Sequence, residues 1–209
     1  MSQIKLLHSG GNGVILAAPS SNPASDRTLT LPGDADGTIL TSNSSTGKVL
    51  AYQNAVKTDT QTTASTSYVD ITGLSITMTP ASAASRFRID YHVNFGVSPS
   101  VYSGSLRLVK VVGGTTTDDI YVGDAAGSRI RSSNFTWSSN AGYSSYPMAV
   151  FSGLLIHHPN TTSAVTFKVQ FVSHYTNSFY VYVNRNQNDG DSSSHGRGAS
   201  SITVMELAA

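Results

Sequence analysis

From about residue 56 onward, apolar and polar side chains alternate with a period of two. Phe87, Ile89, Tyr91, Val93 and Phe95 recur at every second position, with Arg86, Arg88, Asp90, His92 and Asn94 between them. That is the pattern of a half-buried antiparallel strand, whose side chains point alternately to core and solvent. Val165, Phe167, Val169 and Phe171 alternate in the same way with Thr166, Lys168, Gln170 and Val172, and Phe179, Val181 and Val183 with Tyr180, Tyr182 and Asn184. These two segments are expected to form a hairpin through a turn at Thr176-Asn177. Further strands are expected at Tyr68–Ile71, Leu74–Thr79, Ser105–Val112, Ile120–Val122, Phe135–Trp137, Met148–Ile156 and Ile202–Leu207. Roughly eight or nine short strands separated by turn signals predict an antiparallel β-sandwich, jelly-roll-like in character. No segment carries a helical period, and Ala81-Ser82-Ala83-Ala84 after Pro80 is long enough for a single turn only.

The first part of the chain reads differently. Ile4–Leu7, Gly13–Ala17, Thr28–Leu31, Gly37–Leu40 and Lys48–Tyr52 are short apolar runs bounded by Gly, Pro, Asn or Asp, as short strands between tight turns would be. Strands this short bury little surface by themselves. Residues 1–55 are therefore expected to form an extended arm that docks onto a partner or intertwines with other copies, and residues 56–209 a sandwich head. Two strands look apolar on both faces: Val109 and Val111 lie opposite Leu106 and Leu108, and Tyr180 and Tyr182 opposite Phe179, Val181 and Val183. A second apolar face needs a cover, and a neighbouring subunit would supply one.

Composition sharpens this picture. The chain has 209 residues, 39% hydrophobic, but only 12% charged, where about a quarter is usual. Ser, Thr, Asn and Gly occupy the polar positions instead, which suits strands and turns. A formal net charge of +1 supplies no basic field for nucleic acid, and no nucleic-acid partner is expected. Cysteine is absent, which removes disulfides, thiol catalysis and cysteine-ligated zinc. No apolar run approaches the roughly 18–20 residues of a membrane helix, and Met1-Ser2-Gln3-Ile4-Lys5-Leu6-Leu7 runs into Gly10-Gly11 without a signal-peptide core. No membrane partner is expected, and the protein is expected to be made in a cytoplasm and released by lysis.

The segment from Gly13-Val14-Ile15-Leu16-Ala17-Ala18-Pro19 through Arg27-Thr28-Leu29-Thr30-Leu31-Pro32 to Gly37-Thr38-Ile39-Leu40 resembles one common in tail fibres of marine phages and cyanophages. Ser67-Tyr68-Val69-Asp70 with Leu74–Pro80, Gly123-Asp124-Ala125-Ala126-Gly127-Ser128-Arg129, Tyr182-Val183-Asn184-Arg185 and Ser201–Glu206 resemble fibre-tip domains of the same phages. The order of the set carries the resemblance, since each motif alone is degenerate. It implies a homotrimeric virion protein with a docking N-terminal segment and an exposed head. The short chain leaves open a small knob, a head fibre or a capsid decoration protein.

Candidate chemistry is sparse, and the protein is expected not to be an enzyme, with no cofactor and no metal. Asp118, Asp119 and Asp124 could in principle serve glycan hydrolysis as paired carboxylates, but each also fits a loop or turn position. His157-His158 point to opposite faces of a strand and cannot share one metal. Asn184–Asp191 looks like a calcium loop, yet its Gly falls one place late and His195 stands where the bidentate Glu belongs. Asn188–Ser201 is better described as a long polar loop, the kind of element that carries binding on a rigid sandwich. With the Tyr/Ser/Asn-rich stretches around 98–104 and 138–146, it supplies the candidate ligand contacts: Tyr102, Asn140, Tyr143, Tyr146, Asn188 and Arg197, suited to a host-surface polysaccharide. The same stretches would equally cap the sandwich or pack against a neighbouring subunit. Trp137, the only Trp, beside Phe135 on a strand, is expected in the core.

Overall fold

The computed structural model describes residues 3–7, 9–11, 13–17, 48–98, 103–114, 116–137, 148–175 and 179–209. The chain forms two compact units, Met1–Asn43 and Ser44–Ala209. In the first, β1 (Gln3–Leu7) pairs antiparallel with β2 (Gly13–Ala17), Lys5 opposite Ile15. The expected strands at Thr28–Leu31 and Gly37–Leu40 lie outside the described residues.

The head is an antiparallel β-sandwich, and its described residues contain no helix. Its strands are β3 (Val49–Lys57), β4 (Gln61–Thr63), β5 (Val69–Met78), β6 (Arg86–Val97), β7 (Ser103–Val112), β8 (Thr116–Tyr121), β9 (Asn134–Trp137), β10 (Met148–His157), β11 (Val165–Ser173), β12 (Val181–Val183) and β13 (Ser200–Leu207). In one sheet, β10 runs along one edge of β6 from Gly96 to Phe87. The other edge is divided, β13 taking Arg86–His92 and β12 taking Phe95–Val97. β3 lies outside β13, and β4 outside β12. The second sheet has the order β5, β11, β7, with the far edge of β7 likewise divided between β8 and β9.

The alternation read along β6 is realised. Phe87, Ile89, Tyr91, Val93 and Phe95 are all buried, and they meet Phe167, Val169 and Phe171 of β11, with the Phe87 and Phe167 rings 5.3 Å apart. Leu74, Ile76, Leu106, Leu108, Ile202 and Val204 fill the rest of the layer between the sheets. Each such side chain contributes roughly 1.5–3 kcal/mol by leaving water, so this layer dominates the stability of the head. Ala81–Ala84 makes the expected single turn, closed by the Ser85 N–H on the Ser82 carbonyl.

Three expectations need correction. The segments 165–171 and 179–183 form no hairpin: β11 pairs with β5 and β7, whereas β12 pairs with β4 and β6 in the opposite sheet. Both carry inward apolar faces, and the sandwich places those faces against each other rather than side by side. Lys48–Tyr52 does not belong to the arm, because β3 runs to Lys57 and pairs with β13, so the expected boundary after residue 55 falls inside a head strand. Val109 and Tyr182 are buried within the single chain, with the Arg185 guanidinium 4.4 Å over the Tyr182 ring, whereas Tyr180 stays 45% exposed.

Candidate functional site

The polar loop after β12 is a closed excursion from Asn184 to Gly198. Asn184 adopts φ 63°, a left-handed conformation that Asn tolerates better than most residues. It is buried, its amide donating to the Lys57 and Asp59 carbonyls at 2.8 and 2.9 Å while its side-chain oxygen accepts from Ser200 Oγ at 2.6 Å. The Gly198 N–H returns to the Asn184 carbonyl, and Arg185 and Arg197 face each other in a single antiparallel bridge. Arg185 donates to Thr62 Oγ1 and to two loop carbonyls, and Asp189 accepts from Arg197 and lies 3.8 Å from Arg185. With the exposed Asp189 carboxylate paired to two guanidiniums, the loop is built as a salt-bridged strut. Of the residues expected to contact ligand, Arg197 is exposed but engaged with Asp189, and Asn188 is half-buried in the same loop. Tyr102, Asn140, Tyr143 and Tyr146 lie outside the described residues, as does the side chain of Trp137.

The candidate acid residues do not converge. Asp118 and Asp119 are neighbours on β8, so their side chains leave opposite faces of the sheet. Asp118 pairs with Lys110 at 3.3 Å and Asp119 with Arg107 at 3.0 Å, while Asp124 is exposed on the connection that follows. The His157 ring packs edge-on against Phe167 in the core, and His158 is exposed at the Ala83 carbonyl, 3.0 Å away. Burial, together with the charges of Lys110 and His158, depresses the pKa of His157 against the pull of Asp118. Among the described residues, no cluster of His, Asp or Glu could hold a metal ion.

The outer face of the second sheet carries an arrangement that residue patterns did not reveal. Arg107 donates to Gln170 Oε1 at 2.8 Å and to Asp119, Gln170 donates to Asp70 at 2.6 Å, and Lys168 reaches the other Asp70 oxygen at 2.8 Å. Burial alone would raise the Asp70 pKa, but these bonds and the charges of Lys168 and Arg107 hold it below the usual carboxylate range. Beside this network, Arg107 lies 4.2 Å over the Tyr68 ring. Fully buried Ser105 joins the Tyr68 hydroxyl at 2.8 Å to His174 Nε2 at 2.6 Å. Burial depresses the His174 pKa, which keeps the imidazole neutral near pH 7. Ser105 has no access to a substrate, so this Ser-His pair is a foundation and not a nucleophile. What it supports is Phe135, whose ring stacks on His174 at 5.8 Å and 21° while remaining 46% exposed.

The outer face of the first sheet is different again. Val150, Leu154 and Ile156 of β10 and Tyr52 and Val56 of β3 are all more than half exposed. Between them runs a polar stripe on β6, where Arg88 pairs with Asp90 at 3.0 Å. Two strands on the flanks of one sheet therefore present large apolar side chains to solvent in the same direction.

No protein-family model matches the chain, and no curated protein matches it either. The likeness is structural and distant. Two solved structures similar to the chain are described as those of infectious bursal disease virus, Gx strain and Gt strain, with TM-scores of 0.38 and 0.35 at 10% and 12% identity. They cover 94% and 95% of this chain and 47% and 48% of theirs, so the chain spans about half the length of those it is similar to. A likeness at these TM-scores assigns neither family nor function.

Proposed function

We propose that this chain is a structural subunit of a phage virion that assembles as a homotrimer and presents its head for attachment to a host surface. The observation that carries the reading is the apolar outer face of the first sheet. Val150, Leu154, Ile156, Tyr52 and Val56 stand on one side of a chain in which only 12% of residues are charged. Two rows of exposed large apolar side chains flanking a polar stripe on one face mark an interaction site, and in a trimer a second copy of the chain covers it. The resemblance of the ordered motifs to phage fibre proteins supports the virion setting, with synthesis in the host cytoplasm and release by lysis. Residues 1–52, most of which lie in the separate N-terminal unit, are the part that docks onto other virion proteins. The role is non-enzymatic: Asp118 and Asp119 serve ion pairs on opposite faces of their strand.

Light scattering of the purified chain tests the assembly, with a mass three times that of the 22.0 kDa subunit expected. Immunogold labelling of virions tests the place. Label at a fibre tip supports attachment, and label over the capsid shell supports the alternative of a decoration protein held by its N-terminal unit. A monomer that labels no particle sinks the reading.

A further inference from the structure

The connection between β8 and β9 is an organised excursion with its own cavity. It leaves β8 at Tyr121, turns at Gly127, which has φ 60°, and returns to β9 at Asn134. The Ser133 hydroxyl donates to the Tyr121 carbonyl and accepts the Leu108 N–H at 2.9 Å. Arg131 Nε donates to the Gly123 carbonyl at 2.7 Å. These bonds tie both legs of the excursion to the edge of β7. On the excursion, Ser128, Arg129, Ile130 and Phe135 line an open cavity of about 450 Å³, and Tyr121, Gly123 and Ser132 border a second cleft of about 320 Å³.

Two properties of this cavity point to one class of ligand. Its aromatic wall is rigid: the back of Phe135 is stacked on His174, which Ser105 and Tyr68 hold in turn, so the free side of the ring is a fixed flat apolar surface. Such a surface suits the C–H face of a pyranose ring, and a preorganised wall loses little entropy when ligand binds. Its polar wall is cationic: Arg129 lines it and, among the described residues, is paired with no carboxylate, as is true also of Arg86 and Arg131, unlike Arg88, Arg107, Arg185 and Arg197. A guanidinium left free beside an aromatic face binds a carboxylate with two parallel hydrogen bonds. Ser128 adds a hydroxyl of the kind that pairs with sugar hydroxyls.

We infer that the β8–β9 cavity is a binding subsite for an acidic saccharide, a uronate whose ring stacks on Phe135 and whose carboxylate is held by Arg129. The inference rests on the attachment reading above and gives it a ligand class and a place.

Calorimetric titration of the intact chain with a galacturonate oligosaccharide, compared with a neutral glucose oligosaccharide of equal length, tests it. The uronate is expected to bind and the neutral sugar to bind at least tenfold more weakly. Arg129→Gln is expected to abolish that preference, and Phe135→Ala to weaken the uronate at least tenfold, while Phe135→Tyr retains binding and shows that the strand still folds. Arg86→Gln, an exposed arginine at the start of β6 in the other sheet, is expected to change nothing. Absence of uronate binding, an equal response to the neutral sugar, or full binding by Arg129→Gln overturns the subsite. The same samples are weighed by light scattering, which separates the two readings. A virion-associated trimer that ignores the uronate ends the subsite alone, and a monomer that binds it through Phe135 and Arg129 ends the virion reading alone.

Discussion

Asn184 shows how much one side chain settles. Its buried amide satisfies two carbonyls at the β3–β4 connection and takes a hydroxyl from the start of β13, all from a left-handed backbone. Asn184→Ala leaves those groups unpaired and keeps the backbone strain, so urea denaturation is expected to show a loss of about 2–4 kcal/mol. The histidines set a pH dependence. Burial depresses the pKa of both His157 and His174 from 6.5, so the unfolded chain binds protons before the folded chain does. Their contribution is then complete above about pH 6.5 and is lost as pH falls through the lower folded values. The urea midpoint is expected to fall between pH 7.5 and 5.5. His157→Phe, which keeps the ring against Phe167, is expected to make that fall shallower. The roles of His157 and Asn184 differ in how far sequence discloses them. An apolar strand ending in His-His-Pro shows that the two rings diverge, whereas the Lys57 and Asp59 carbonyls that Asn184 satisfies lie more than a hundred residues away.

Where elements are concerned, glycine decides what alternation cannot. Gly153 on β10 lies beneath Tyr91 of β6, and a Cβ there would stand 2.5 Å from the ring. Tyr91 is held in place by its hydroxyl bond to Asn134, so it has little room to yield. Gly153→Ala is therefore expected to cost about 1–3 kcal/mol by overpacking, readable as a lowered melting temperature. Gly73, at φ 89°, explains an error of division. It lets β5 put two successive residues outward between Ile71 and Leu74, so what reads as two strands, Tyr68–Ile71 and Leu74–Thr79, is one bulged strand along β11. The long strands were legible because their two faces differ in polarity over many residues. Their partners were not, since the same apolar face serves a neighbour in the sheet or one across the core. Phe135 was read only as a strand neighbour of Trp137; nothing in four residues of β9 announces that its support comes from His174, on the far side of β7.

Across the whole molecule, the boundary between the two units is open to a direct test. β3 covers β13, the strand that carries Ile202 and Val204 into the core. Removal of residues 1–43 is expected to leave a head with a cooperative thermal transition close to that of the full chain. Removal of residues 1–55 takes most of β3 and is expected to lower that transition by about 5 °C or more, on the scale of roughly 2–4 °C per kcal/mol for a domain of this size. Equal melting of the two truncations would show that β3 is dispensable. All-β character could be read from the residues. The exposed apolar face of the first sheet could not, because Val150, Leu154 and Ile156 look no different along the chain from residues of the core.

The place of β13 has a consequence for synthesis. It lies between β3 and β6, yet it is made after every other strand of the head, so those two cannot be joined while the ribosome is still working through the chain. At about 5–20 residues per second, β3 waits on the order of ten seconds with an unpaired edge. Through that interval the nascent head is an open sheet, exposed to strand exchange with copies emerging on the same messenger. Among the described strands of the head, the one made last is the one that joins β3 to β6.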